Sequence, residues 1–170
     1  MNYLALATVI LAVCATLATF KGGGYSTRSV LAQSQASDQW SYFQAKGIKG
    51  YLYELQRDKL ELEVKSLRPT ASRSVLAEYE KRIDGYSQKI KKYDEEKAGI
   101  EQEARAKEAT RDEAQKHSQA FGMAVIFLQI AILLSSIAAL MKIKYVWIIG
   151  LVTGAFGIIY FVNGFLLFIK

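Results

Sequence analysis

The chain has 170 residues and a formal charge of +6, with one proline, one cysteine and one histidine. All sixteen acidic residues lie between Asp38 and Glu113, and outside residues 21–116 the only basic side chains are Lys142, Lys144 and Lys170, so the apolar residues are pooled at two ends and a single soluble globular core is excluded. The basic residues are interleaved with acidic ones, the pattern of a solvated helical surface and not of a nucleic-acid footprint, while lone Cys14 and lone His117 exclude an intrachain disulfide, a cysteine-built metal site and a histidine cluster.

Residues 1–20 carry no charged side chain and are long enough to cross a hydrocarbon core of ~30 Å at 1.5 Å per residue, which makes them transmembrane helix 1. A cleaved leader is the competing reading. It is disfavoured because no basic segment precedes Tyr3 and no small-x-small site follows Leu17. Residues 21–24 hold Gly22, Gly23 and Gly24, expected to act as a hinge, a swivel or tight backbone bend. The lysine and hydroxyl spacing of a phosphate-binding loop is missing from them.

Residues 25–119 are expected to form an extramembrane helical hairpin. From Leu76 a three-four alternation runs through Tyr79, Ile83, Tyr86, Ile90, Tyr93, Lys97, Ile100, Ala104, Lys107, Arg111 and Ala114 to Phe121, a heptad seam that calls for a partner helix. The partner is expected in the preceding segment, through Trp40, Phe43, Ile48, Leu52, Leu55, Leu62 and Leu67. Pro69 ends that helix, placing the turn near residues 68–71, and Thr70 or Ser72 can cap the next one. Folding the chain back at Pro69 brings Phe20 level with Gln119, so both arms reach the membrane together, each about 42 residues or roughly 60 Å long. Near the membrane, Ser29, Ala32 and Ala36 lie across from Ala104, Ala109 and Ala114, so the backbones either approach closely or leave room for a neighbouring subunit. Lys107 and Arg111 on the seam favour the second, since two helices offer them no buried counter-charge. Glu78 with Arg82 and Glu101 with Arg105 are four apart and suit the exposed face.

Residues 120–141 read as transmembrane helix 2 and residues 145–170 as transmembrane helix 3, joined by the basic turn 142–144 and therefore antiparallel. Tyr145 and Trp147 suit an interfacial belt, and Lys170 can reach headgroups. Gln129 and Asn163 are the polar exceptions within these spans, and Gly150, Gly154 and Gly157 form a small-residue row for helix packing or oligomer contact. Folding at Ile143 sets Gln129 level with Gly157. The positive-inside rule weighs Lys21, Arg28, Arg105, Lys107, Arg111, Lys116 and Lys170 against Lys142 and Lys144, placing the hairpin and the C-terminus in the cytoplasm.

The stretch Phe20-Lys21-Gly22-Gly23-Gly24-Tyr25-Ser26-Thr27-Arg28, the run from Ala32-Gln33-Ser34 to Trp40, the apolar Ala124-Val125-Ile126-Phe127-Leu128-Gln129-Ile130 and the closing Val162-Asn163-Gly164-Phe165-Leu166 together resemble a bacterial family known as domain of unknown function 4337. The resemblance covers essentially the whole chain and implies a bacterial inner-membrane protein, with no catalytic residue to carry over.

The fold class expected is thus an all-α membrane protein of three transmembrane helices with a long antiparallel hairpin between the first two. Its membrane spans imply lipid contacts, and no cofactor, catalytic constellation or metal site is legible, so no enzyme is expected. The expected function is a self-associating structural scaffold, a homo-oligomer. An accessory subunit of a larger membrane complex is the first alternative, and a homo-oligomeric pore lined by Gln129 and Asn163 the second.

Overall fold

The computed structural model describes residues 2–69 and 71–169, except for the side chain of Asn2. Three helices make up the chain: α1 (Asn2–Leu67), α2 (Arg73–Met141) and α3 (Lys144–Leu166). Among the described residues there is no strand, and each of the three helices has a stretch long and apolar enough to cross a membrane. Thr70, a candidate cap, and Lys170, a candidate headgroup contact, lie outside the described residues.

The bend expected at Gly22, Gly23 and Gly24 is not there. All three are helical, no glycine among the described residues has positive φ, and α1 runs through them without interruption. The helical ladder on either side carries the backbone across, and Gly22 is used for its missing side chain instead. Helix α1 stops where Pro69 demands it: the Arg68 amide still donates to Val64 O at 3.0 Å, and the chain turns. Ser72 takes the N-cap position of α2 through its backbone, its carbonyl accepting from the Leu76 amide at 3.2 Å, while its hydroxyl pairs with that of Ser74.

Two compact units are built from these helices, Met1–Gln33 with Ala109–Lys170, and Ser34–Glu108. In the first, apolar unit, Leu11, Ala15 and Ala18 of α1 join Phe121, Ala124, Leu128 and Ala131 of α2 in one buried cluster. Helix α3 packs beside them on glycines. In the second, charged unit, contacts pair rising numbers on α1 with falling numbers on α2: Trp40 with Glu108, Lys46 with Glu96, Gly50 with Tyr93, Tyr53 with Tyr86.

Along α2 each seam position from Leu76 to Phe121 is half-buried or buried. The matching row on α1 is not the aliphatic one. Ile48, Leu52, Leu55 and Leu62 are exposed, and the covered row is Trp40, Phe43, Gly47, Gly50, Tyr53, Leu60, Val64 and Leu67. Gly47 and Gly50 face the side chains of Lys97 and Tyr93 at ordinary contact distance, and Tyr53 stacks on Tyr93 at a centroid distance of 5.8 Å.

Between α2 and α3 only Lys142 and Ile143 intervene, and Lys142 is left-handed at φ 56°. A side chain there is strained, whereas glycine is not. Lys142→Gly is expected to raise the thermal unfolding midpoint in detergent, by a free energy of up to ~1 kcal/mol, and an unchanged or lower midpoint would show the turn to be unstrained.

Candidate functional site

In the apolar unit the geometry converges on Phe121, whose side chain is 0% exposed. A Cβ built on Gly22 of α1 would lie 3.0 Å from Phe121 Cβ, and one built on Gly164 of α3 would lie 2.6 Å from Phe121 Cε1. The ring also meets Phe165 edge-on at 4.9 Å and lies 6.0 Å from the Tyr25 ring. Two helices thus close on one phenyl group of the third, each with a glycine backbone beside an aromatic ring.

The glycine row continues along α3. A Cβ on Gly157 would stand 2.8 Å from the Leu128 side chain, one on Gly154 would stand 3.1 Å from Leu11 of α1 and 3.4 Å from Ala131, and one on Gly150 would stand 3.3 Å from both Leu134 and Ser135. Each step up α3 is matched by an equal step down α2, so one register serves all four glycines. That register puts Leu128, not Gln129, opposite Gly157. Gln129 is exposed, because it lies one residue, about 100°, further round the helix.

Asn163 is buried at 3% exposure, and its side chain is already engaged. Its Oδ1 accepts from the Ile169 amide at 2.7 Å and its Nδ2 donates to Ile169 O at 3.4 Å, while its own carbonyl accepts from Leu167 N at 2.8 Å. The last carbonyls of a helix need donors, and the Leu167 amide serves that of Asn163 while His117 serves that of Gly164. His117 Nδ1 lies 2.8 Å from Gly164 O. A carbonyl only accepts, so that nitrogen carries the proton. His117 is half-buried and stacks on Tyr25 at 4.4 Å. Ser118 adds a bond from its hydroxyl to Gly22 O at 3.2 Å. No sequence signal announces the His117 contact, since it depends on where α3 ends relative to α2.

The two polar seam residues, Lys107 and Arg111, are both half-buried. Arg111 has partners within its own unit, donating to Gln33 Oε1 at 2.7 Å and to Asp112 Oδ1 at 2.8 Å. It therefore needs no neighbouring subunit, and its guanidinium holds the Asp112 carboxyl below the usual range. Ala32, Ala36, Ala104 and Ala114 are buried by the chain itself. Pro69 stands in the turn, and Gly23 and Gly24 have open space where a Cβ would go.

In the charged unit the Lys46 ammonium bridges to Glu96 and lies 5.2 Å from the Tyr42 ring centroid and 5.4 Å from that of Tyr93. Trp40 Nε1 donates to Glu108 at 3.0 Å. The hydrogen bond with Glu96 raises the Lys46 pKa, and the same bond lowers that of Glu96. Arg82 and Arg105 pair with Glu78 and Glu101 along the outer face of α2, as their spacing predicts. These contacts hold α1 against α2 within the charged unit.

These features define an all-helical protein with three helices long and apolar enough to cross a membrane, joined to a charged helical unit. The chain belongs to the family described as domain of unknown function DUF4337, whose profile matches residues 1–167. No curated protein and no solved structure matches it.

Two outcomes follow from this geometry. Gly157→Ala is expected to lower stability in detergent by ~1–3 kcal/mol through overpacking on Leu128, while Gly24→Ala, in open helical space, changes it by no more than ~1 kcal/mol in the stabilising direction; equal effects at the two sites would refute the close approach. For the Lys46–Glu96 bridge, the Glu96 contribution is complete above its ordinary value of 4.5 and disappears as pH falls through its lowered value. The Lys46 contribution is complete below 10.5 and disappears as pH rises through its raised value. A Glu96→Gln chain should accordingly show a shallower loss of thermal stability below pH ~4.5 than the parent, and parallel curves would assign the acid sensitivity elsewhere.

Proposed function

We propose that the chain is a non-enzymatic docking scaffold of the bacterial inner membrane, anchored by three spans and presenting the charged unit as an antiparallel hairpin in the cytoplasm. The observation that carries this reading is the exposed aliphatic row of Ile48, Leu52, Leu55 and Leu62, set in a unit whose remaining surface is largely charged and polar. In the apolar unit exposed leucine and isoleucine are suited to lipid contact, and there they need no protein partner. In the charged unit no lipid covers them, and a row of that kind marks a protein contact.

The spans support anchoring by their lengths and by the absence of Asp, Glu, Lys and Arg between Met1 and Phe20 and between Ala120 and Met141. The engagement of the α3 glycines and of Asn163 within the chain moves the association surface away from the spans and onto the hairpin. It also weakens the pore alternative, because Asn163 has its amide occupied. Charge supports the orientation, with more lysine and arginine flanking the spans on the hairpin side than in the turn at Lys142 and Lys144.

The chain is expected to stay in the membrane pellet through alkaline carbonate washing. In a Cys14→Ala chain, a cysteine placed at Ser66 should react with an impermeant maleimide only after the cytoplasmic membrane is opened. Release by carbonate would remove the anchoring, and labelling of intact spheroplasts would invert the topology.

A further inference from the structure

Six large hydrophobic side chains of α1 stand exposed in the charged unit, Tyr42 at 50%, Ile48 at 68%, Tyr51 at 66%, Leu52 at 55%, Leu55 at 66% and Leu62 at 66%. They fall in one frame. Counted by three and four, Ala45, Ile48, Leu52, Leu55, Lys59 and Leu62 form a heptad row of exposed residues, and Tyr42 and Tyr51 take the positions that flank such a row. Each residue of this row is one or two residues away from the covered row of Phe43, Gly50, Tyr53, Leu60 and Val64, so the two rows are centred about 150° apart on the helix. A helix laid on the outer row therefore does not meet α2. Within this unit α2 offers nothing comparable: among its described residues Val75 is the exposed large hydrophobic side chain.

We infer that this row is covered by the same row of a second copy, running parallel to it about a two-fold axis along the bilayer normal. This names the partner of the docking surface proposed above and rests on that reading. The membrane sets the direction. Each α1 begins in its own apolar stretch, so two such helices anchored in one bilayer run the same way. The same three-four count taken back along α1 falls on Leu31, Phe20, Leu17, Val13 and Ile10, each exposed, so within the apolar unit too the frame is left uncovered. Area agrees with a stable pair. At these exposures the six side chains offer about 700 Å² per copy, so a pair that covers them buries ~1,400 Å², within the range of specific interfaces.

In a parallel two-fold pair each residue of the row faces its own counterpart. Ile48, Leu52, Leu55 and Leu62 make four apolar layers, and Ala45 makes a small one. Lys59 is the charged interruption: its stem lies along the apolar layers on either side while its ammonium reaches water. A single lysine in such a row lowers stability and in exchange fixes the register and the number of helices. Charge does not oppose the arrangement. Lys46 is bridged to Glu96 within the chain, and the rest of residues 42–65 carry four basic side chains, Lys49, Arg57, Lys59 and Lys65, against four acidic ones, Glu54, Asp58, Glu61 and Glu63, so the identical stretches meet without net charge.

The test uses the full chain, carrying Cys14→Ala, in phosphatidylethanolamine–phosphatidylglycerol vesicles at a high ratio of lipid to protein. Single cysteines are placed at Leu55, at Leu62 and, about 100° round the helix from Leu62, at Glu61, and each chain is oxidised by itself. The expected result is a disulfide dimer from Leu55→Cys and from Leu62→Cys and little from Glu61→Cys. Adding L52E/L55E to the Leu62→Cys chain should weaken its dimer by ~10-fold or more with helical content unchanged, since both side chains are exposed within one copy. No dimer from the two row positions, an equal dimer from Glu61→Cys, or a dimer indifferent to L52E/L55E would overturn the inference. A photo-crosslinker at Leu52 in native membranes separates the two levels. A product of twice the chain's mass is expected there, and a ladder to three or more copies overturns the two-fold pair. Capture of a different polypeptide overturns the second copy while the docking surface stands, and capture of nothing overturns both.

Discussion

Phe121 is the residue through which the apolar unit is put together. Its ring is fully buried, and two of the three helices approach it with hydrogen atoms where other residues would have a side chain, Gly22 from α1 and Gly164 from α3. Helices in an apolar environment gain little from excluding water, so close van der Waals contact and satisfied polar groups must hold them. The ring and its two glycines supply the first. One turn before it on α2, His117 supplies the second by donating to Gly164 O, and Ser118 does the same for Gly22 O. Aromatic bulk and backbone polarity are thus handled at the same level of the bundle.

The register of α3 follows from that contact. Once Gly164 is seated on Phe121, the equal rise of two helices places Gly157 on Leu128, Gly154 on Ala131 and Gly150 on Ser135. The same docking brings the end of α3 to where its terminal carbonyls meet His117, and Asn163 folds the last residues back on itself through Ile169. The four glycines of α3 and Asn163 are therefore two parts of one packing solution.

The charged unit solves a different problem. Water surrounds its helices under the proposed topology, so burial of apolar area is available as a driving force, and the inner seam combines aliphatic side chains such as Val64, Ile90 and Ile100 with tyrosine rings, glycine and lysine. Rings of Tyr53, Tyr86 and Tyr93 pack on one another, and lysine ammoniums sit over their faces, as with Lys89 at 4.7 Å from Tyr53. Ile48, Leu52, Leu55 and Leu62 stand exposed on another face of α1. A helix with two apolar rows can satisfy one within the chain and keep one for association.

By itself the sequence determined the helical class, the segregation of charge, the three apolar stretches, the stop at Pro69 and the seam on α2, because each depends on local composition or on a period read along one helix. Tertiary structure alone decided which of the two rows on α1 turns inward, since both repeat at the same spacing and the period along one helix does not say which of them meets α2. It decided that Gly22 serves close approach and not a bend, because a glycine's use depends on what stands opposite. It also placed Leu128 and not Gln129 against Gly157, a choice of one residue that the length of the turn at Lys142 and Ile143 sets. Periods along a chain are local, but the phase of one helix against another is a property of both.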